Sequence, residues 1–110
     1  MAQLNFVQAA IAGANPGFVA ASAGGDKVVP NDRGALIVRN GSGASITVTV
    51  AVPGNGRFGL PEPDVAIAVP AGADRIIGPF PSVLGDSATD NLVAITYSAV
   101  TTVTVAPIQI

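Results

Sequence analysis

The sequence predicts an all-β protein: a single-domain antiparallel β-sandwich or small barrel of about seven or eight strands, with an extended N-terminal arm. Three observations lead to this fold class. Branched apolar residues alternate with small or hydroxyl residues, which is the period of a strand with one buried face. Turn-forming residues recur about every 8 to 12 residues, and no stretch makes a convincing helix. The length of 110 residues fits one domain.

The clearest strand signal runs from Gly34 to Val52. Between residues 46 and 52, isoleucine and valine alternate with threonine and alanine, so the branched side chains share one face. A second short apolar run, residues 35–39, precedes it. The two runs are separated by Asn40-Gly41-Ser42-Gly43, and Asn-Gly accepts the positive φ angles of a type I′ turn. The sequence therefore predicts a β-hairpin over Gly34 to Val52.

The rest of the chain after residue 25 shows the same strand pattern between breakers. Further strands are predicted at 26–29, 65–69, 74–78, 92–97 and 101–106. The proline-bounded loop 57–63 carries Phe58 and Leu60, which either plug an end of the sandwich or contact a neighbouring molecule, and the plug is the favoured interpretation. Pro79 and Pro81 end the strand before them and suit an edge position.

The first 24 residues give a mixed signal. Leu4, Val7 and Ile11 fit one face of a helix, whereas Phe6-Val7 and Phe18-Val19 favour extended structure. Asn15-Pro16-Gly17 is a turn that divides the segment. We interpret residues 1–24 as an N-terminal arm or edge segment and residues 25–110 as the β-sandwich domain.

The composition excludes several classes of function. The chain has no cysteine and no histidine, so the commonest nucleophiles, bases and transition-metal ligands are missing. A net charge of −2 with scattered signs argues against a nucleic-acid partner. No apolar run reaches the roughly 18 residues of a membrane span. The first basic residue is Lys27, so a secretory signal peptide is not predicted.

Two groups of acidic residues are candidates for a catalytic or metal-binding site. Glu62 and Asp64 form a carboxylate pair of the kind that glycosidases use, but they flank Pro63 in a loop and no aromatic sugar platform accompanies them. The stretch from Asp86 to Asn91 offers oxygen ligands, yet it lacks the calcium-loop pattern, so a solvated turn is the preferred interpretation. The sequence predicts no catalytic, cofactor-binding or metal site, and no enzymatic activity.

The surface, by contrast, is predicted to favour association. Charged residues make up 11% of the chain, against about 25% in typical proteins, and small apolar residues are abundant. Such a surface has little protection against contact with other subunits. Isolated arginines on it are candidates for anchoring a subunit contact. They are Arg33, Arg39, Arg57 and Arg75.

Three runs resemble small β-rich virion proteins of tailed bacteriophages. They are VPNDRGALIVRNGSGASITVTVAV, VPAGADRIIGPFP and ITYSAVTTVTVAPIQI, and the resemblance covers roughly residues 28–110. It implies a head decoration, or cement, protein that binds the outside of the capsid by non-covalent lattice contacts. The implied partners are the major capsid protein and further copies of the chain, with a trimer as one form. The implied location is the capsid surface, after assembly in the host cytoplasm.

The resemblance also directs attention to contact residues. An apolar arm that adds a strand to a capsid edge, and apolar loops beside it, would supply repeated weak contacts. The interface candidates are Leu4, Phe6, Val7, Ile11, Phe58, Leu60, Phe80, Arg39 and Arg75. Alternative functions are a tail or head–tail joining structural protein, and a carbohydrate or cell-surface binding module. The shortage of aromatic residues counts against sugar stacking.

Overall fold

The computed structural model of the chain describes residues 2–54, 58–61, 63–85 and 90–110. Within these ranges the chain forms two mixed β-sheets and one short 3-10 helix, Ser82–Leu84. The strands are β1 (Ala2–Leu4), β2 (Val7–Gln8), β3 (Val19–Ala20), β4 (Asp26–Val28), β5 (Gly34–Asn40), β6 (Ile46–Val50), β7 (Val65–Val69), β8 (Asp74–Ile77), β9 (Val93–Tyr97) and β10 (Val103–Gln109). The first sheet has the order β1-β4-β9-β6-β7. The second has the order β2-β10-β5-β8, and β3 also pairs with β10.

The core lies between the two sheets and is built from alternate residues of their strands. Along β5 and β6, buried residues alternate with more exposed ones, as the two-residue period requires. Branched side chains dominate the core because they pack well on a pleated surface. Those with at most 1% of their surface exposed are Val28, Leu36, Val38, Val48, Val69, Phe80, Val93, Ile95, Val103 and Val105.

The all-β sandwich predicted from the sequence is confirmed. Each of the seven segments predicted as strands after residue 25 contains a strand, with ends shifted by a few residues. The sheets are mixed, however, since β1 pairs with β4 and β2 pairs with β10 in the parallel direction. Both exceptions come from the N-terminal segment, whose strands have only two or three residues.

The predicted β-hairpin over Gly34 to Val52 is wrong. β5 and β6 are both present, but they belong to different sheets, and residues 41–45 carry the chain across the sandwich. β5 pairs with β8 and β10, while β6 pairs with β7 and β9. The alternation predicted the correct buried face of β6, but two strands with one apolar face each can also pack face to face across a core.

Three tight connections cross between the sheets, and main-chain hydrogen bonds link the first to the third and the second to the end of β5. They are residues 41–45, 70–73 and 98–102. The Gly41 N–H donates to the Thr102 carbonyl oxygen at 2.9 Å, and the Gly72 N–H donates to the Asn40 carbonyl oxygen at 2.8 Å. The crossovers therefore support one another at one end of the sandwich.

The N-terminal segment closes one side of the sandwich. β1 extends the first sheet beyond β4, whereas β2 and β3 both lie against β10 in the second sheet. Between β1 and β2, Phe6 packs on the core with its ring centroid 6.3 Å from that of Phe80. A Cβ atom on Gly34 would lie 2.6 Å from the Phe6 ring, so any larger residue at this position of β5 would displace the ring. In the ranges that the structure describes, no helix has the length and apolar character to cross a bilayer.

Candidate subunit-contact surface

The side of the sandwich opposite the N-terminal segment is open. The first sheet ends at β7 and the second at β8, and in the described part of the chain neither strand has a further strand neighbour. Between these two edges lies a cleft of about 300 Å³. Its lining is mostly apolar and comes from both sheets and from the segment after β8: Val50, Val65, Ile67, Arg75, Ile76, Ile77, Gly78, Pro79, Phe80 and Leu84.

β7 is an unusually apolar edge. Its sequence is Val-Ala-Ile-Ala-Val, without a charge, a proline or a glycine. Val65 is half exposed and Ile67 is partly buried, although both are paired with buried residues of β6 and so lie on the core face. Edge strands are usually protected from pairing by charges, prolines or bulges. β7 itself has none of these devices.

β8 differs because it carries two charged residues. Asp74 accepts a hydrogen bond from Nε of Arg39 at 3.3 Å on the neighbouring strand β5. Arg75 is the register partner of the buried Val38, so its side chain leaves the strand on the core face and lines the cleft. Nη1 of Arg75 donates to the main-chain oxygen of Asp74 at 2.8 Å, and among the described residues no carboxylate pairs with it.

The other strand arginine proposed as a contact is already engaged within its own chain. Besides its ion pair with Asp74, the Arg39 guanidinium lies over the ring of Phe18 at 4.2 Å from the centroid. A cation over an aromatic face is attracted by the ring. Arg39 therefore holds Phe18 against the second sheet. Arg33 is exposed, whereas Arg57 lies outside the described residues.

The apolar candidates divide into packed and exposed residues. Phe80 is 1% exposed, so it belongs to the core and cannot be a contact residue in this structure. Leu4 and Phe6 are partly buried against the core, and Val7 is half-buried in β2. Ile11, in contrast, is fully exposed.

The loop before β7 is not a plug. Phe58 is 86% exposed and Leu60 is 69% exposed, so the preferred interpretation from the sequence is wrong for both. The physical reason is that Phe6, Phe80 and Leu84 already supply large side chains to the core. Phe58 and Leu60 remain available to a neighbouring molecule.

Two buried polar residues were missed in the sequence. Asp26 has no solvent exposure, and its Oδ2 accepts hydrogen bonds from the Tyr97 hydroxyl at 2.8 Å and from the Ser22 N–H at 3.3 Å. Burial, and then the hydrogen bond and the charge of Asp26, raise the pKa of Tyr97 far above its usual value. The sequence did contain a signal for the burial of Asp26. It lies two residues before Val28 in the same strand, so both side chains point to the inward face.

Asn40 is the second missed residue. It is completely buried, and its Nδ2 donates to the main-chain oxygens of Ala44 at 2.8 Å and Val69 at 3.0 Å. Its Oδ1 accepts from the N–H of Ser42 at 3.0 Å and from the Ser42 hydroxyl at 2.6 Å. The sequence predicts a turn at Asn40 from its backbone preference, whereas in the structure its side chain organises the crossovers.

The two acidic groups considered as chemical sites lie largely outside the described residues. Glu62 and residues 86–89 lie outside the described residues, and Asp64 accepts a hydrogen bond from the Val52 N–H at 2.9 Å. Within the part of the chain that the structure covers, no three acidic side chains come together as metal ligands.

The comparisons with known proteins found no relative of this chain. No protein-family model, no curated protein and no solved structure matches this chain.

Proposed function

We propose that this chain is a structural subunit that works by binding other protein subunits, in the form of a head decoration protein on the capsid of a tailed bacteriophage. The observation that carries the proposal is the open side of the sandwich. There an uncharged apolar edge strand, β7, stands beside a cleft whose walls expose side chains of the core face. An unprotected edge of this kind favours pairing with another polypeptide.

The rest of the surface supports the same proposal. Ile11, Phe58 and Leu60 expose most of their side chains on two loops, and charged residues make up only 11% of the chain. Exposed apolar groups on a charge-poor surface favour protein–protein contact. A rigid sandwich that repeats such contacts over a symmetric shell gains strength through multivalency.

The contact surface has two parts, the open edge at β7 and the exposed loop residues, and each part suggests a partner. The major capsid protein is the partner for the exposed loop residues, and a second copy of the chain is a partner for oligomer formation. The resemblance of residues 28–110 to small β-rich virion proteins supports the capsid as the location, and thus assembly in the host cytoplasm. Nothing in this role requires a cofactor, a membrane or nucleic acid.

Particle binding tests the proposal. The chain is added to expanded phage heads that lack it, and the bound amount and the position of its density are measured by sedimentation and electron microscopy. Ile11→Asp and the double variant Phe58→Asp/Leu60→Asp should weaken head binding at least about tenfold, since each places charge in an apolar contact. Thr96→Asp, at an exposed position of β9, is the matched control.

Three results would contradict the proposal. Density on the tail would favour the tail or head–tail joining role, and glycan binding on an array would favour the carbohydrate module. Unchanged head binding by both charged variants would show that the loop residues are not the contact.

A further inference from the structure

The main-chain groups of β7 that face away from its sheet are those of Ala66 and Ala68. In β6, the N–H and the carbonyl oxygen of Thr47 both bond to Ser98, on the β9 side. Main-chain groups of successive residues in a strand point in opposite directions. Val48 therefore points its groups at β7, where its register partner is Ile67. It follows that Ala66 and Ala68 direct two N–H and two carbonyl groups outward.

The sequence of β7 is the same in both directions. Val65-Ala66-Ile67-Ala68-Val69, read backwards, is again Val-Ala-Ile-Ala-Val. Antiparallel pairing with an identical strand, centred on Ile67, places Ala66 opposite Ala68 of the second copy. That pair exchanges both of its outward hydrogen bonds, and the symmetric pair does the same. This one register satisfies all four outward groups.

The side chains fit the same register. Val65, Ile67 and Val69 lie on the core face, so two paired strands would place branched residues beside branched residues and alanine beside alanine. No charge on either strand opposes a like charge, whereas self-pairing of β8 would place Arg75 and Asp74 in the interface. Pro70 lacks an N–H and limits the ladder at the end of β7.

We propose that β7 pairs antiparallel with β7 of a second copy of this chain, about a two-fold axis at Ile67, so that the first sheets of the two copies join into one continuous sheet. A two-fold contact uses the same patch on both copies and needs a self-complementary surface, which β7 provides. The inference deepens the proposed function, because it rests on subunit binding and names the partner at the open edge.

Cysteine cross-linking tests the register directly, since the natural chain has no cysteine. At a position opposite itself in a non-hydrogen-bonded pair, the Cα atoms are about 4.5 Å apart, within the range of a disulfide. Under mild oxidation Ile67→Cys should form a covalent dimer. Ile76→Cys, at an exposed position of β8, is the matched control and should cross-link at least about tenfold more slowly.

Two further variants fix the alignment of the strands. Ala66→Cys alone should not cross-link, because two copies of position 66 would be about 8 Å apart, beyond the reach of a disulfide. An equal mixture of Ala66→Cys and Ala68→Cys should yield the mixed dimer. Cross-linking of Ala66→Cys with itself at the rate of the mixture would overturn the proposed register.

Sedimentation equilibrium of the natural chain measures the contact without cross-linking. A monomer–dimer equilibrium is expected, and Ala68→Pro should weaken it at least about tenfold, since proline removes an outward N–H without touching the bonds to β6. Circular dichroism checks that the Ala68→Pro variant is folded. If that variant is unfolded, Ala68→Lys replaces it, because the lysine places like charges in the paired edge of both copies. A chain that stays monomeric at every concentration overturns the inference, even if it still binds phage heads. A β7 dimer that fails to bind heads would instead overturn the proposed function.

Discussion

The hydroxyl of Tyr97 donates a hydrogen bond of 2.8 Å to Oδ2 of Asp26, across the core face of β4 and β9. Asp26 has no solvent exposure, and its Oδ1 has no partner among the described residues. A buried carboxylate that lacks donors retains the full cost of leaving water. The Tyr97 hydroxyl and the Ser22 N–H are thus the two described groups that offset this cost, and the pair ties the turn before β4 to the end of β9.

Replacement of Tyr97 by phenylalanine should lower the free energy of unfolding by about 1–3 kcal/mol, because it removes a donor while Asp26 stays buried. Urea unfolding followed by circular dichroism measures the change. Thr96→Val, at the exposed neighbouring position, should shift stability by less than about 0.5 kcal/mol. Equal effects of the two variants would show that the hydrogen bond to Asp26 contributes nothing.

Stability should also fall in strong alkali because of the same residue. The pKa of Tyr97 is raised in the folded chain, so the unfolded chain loses the phenolic proton first, near pH 10. The stabilisation of the folded chain that accompanies the raised pKa of Tyr97 is fully present below that pH. Above it, the unfolding free energy should decrease by about 1.4 kcal/mol per pH unit more than in Tyr97→Phe.

The chain suits this measurement because Tyr97 is its one tyrosine and tryptophan is absent. Tyrosinate absorbance of the native chain should stay low at pH 11 and rise upon addition of urea. A native titration midpoint near 10 would contradict the buried hydrogen bond.

The sequence predicted the faces of the strands better than their partners. Alternation depends only on which side of a strand is buried, so the buried face of β6 was recognisable, and β5 and β9 were recognisable as strands. Pairing depends on contacts between distant residues, and a turn signal such as Asn40-Gly41 does not distinguish a hairpin from a crossover. The deciding feature is a side chain, since Asn40 bonds to main-chain groups of residues 44 and 69.

Asn40→Ala is expected to destabilise the fold by about 2–4 kcal/mol. The change leaves the buried Val69 oxygen and the partly buried Ala44 oxygen with fewer donors, and it removes the acceptor of Ser42. Ser45→Ala is the matched control: Ser45 is exposed and makes one long hydrogen bond, 3.4 Å, to the same Val69 oxygen. Thermal unfolding of the two variants separates the roles. A loss for Asn40→Ala no larger than for Ser45→Ala would mean that the crossovers hold without this side chain.

The sequence predicted that the chain has a surface for association, but not where on the fold this surface lies. Low charge indicated association, and the interface candidate Ile11 is exposed in the structure. Phe58 and Leu60 are exposed as well, although the sequence favoured a plug for both. Pro79 and Pro81 indicated an edge position for β8, which does end its sheet, whereas no local pattern marked β7 as the edge of the other sheet. β7 looks like a central strand by composition, because it has no charge, and its open edge becomes visible only when the two sheets are assembled.

The N-terminal segment offers a comparison between a packed and an exposed apolar residue within six positions. Phe6 packs on the core beside Phe80 and against Gly34, whereas Ile11 is fully exposed. Phe6→Ala should lower the unfolding free energy by about 2 kcal/mol, less than the 3–5 kcal/mol typical of a completely buried phenylalanine. Ile11→Ala should change it by less than about 0.5 kcal/mol. Denaturant unfolding of both variants measures the difference, and amide exchange at β1 and β2 should rise in Phe6→Ala alone. Equal stability of the two variants would mean that Phe6 does not help to close the sandwich, because its ring would then contribute no more than a solvated side chain.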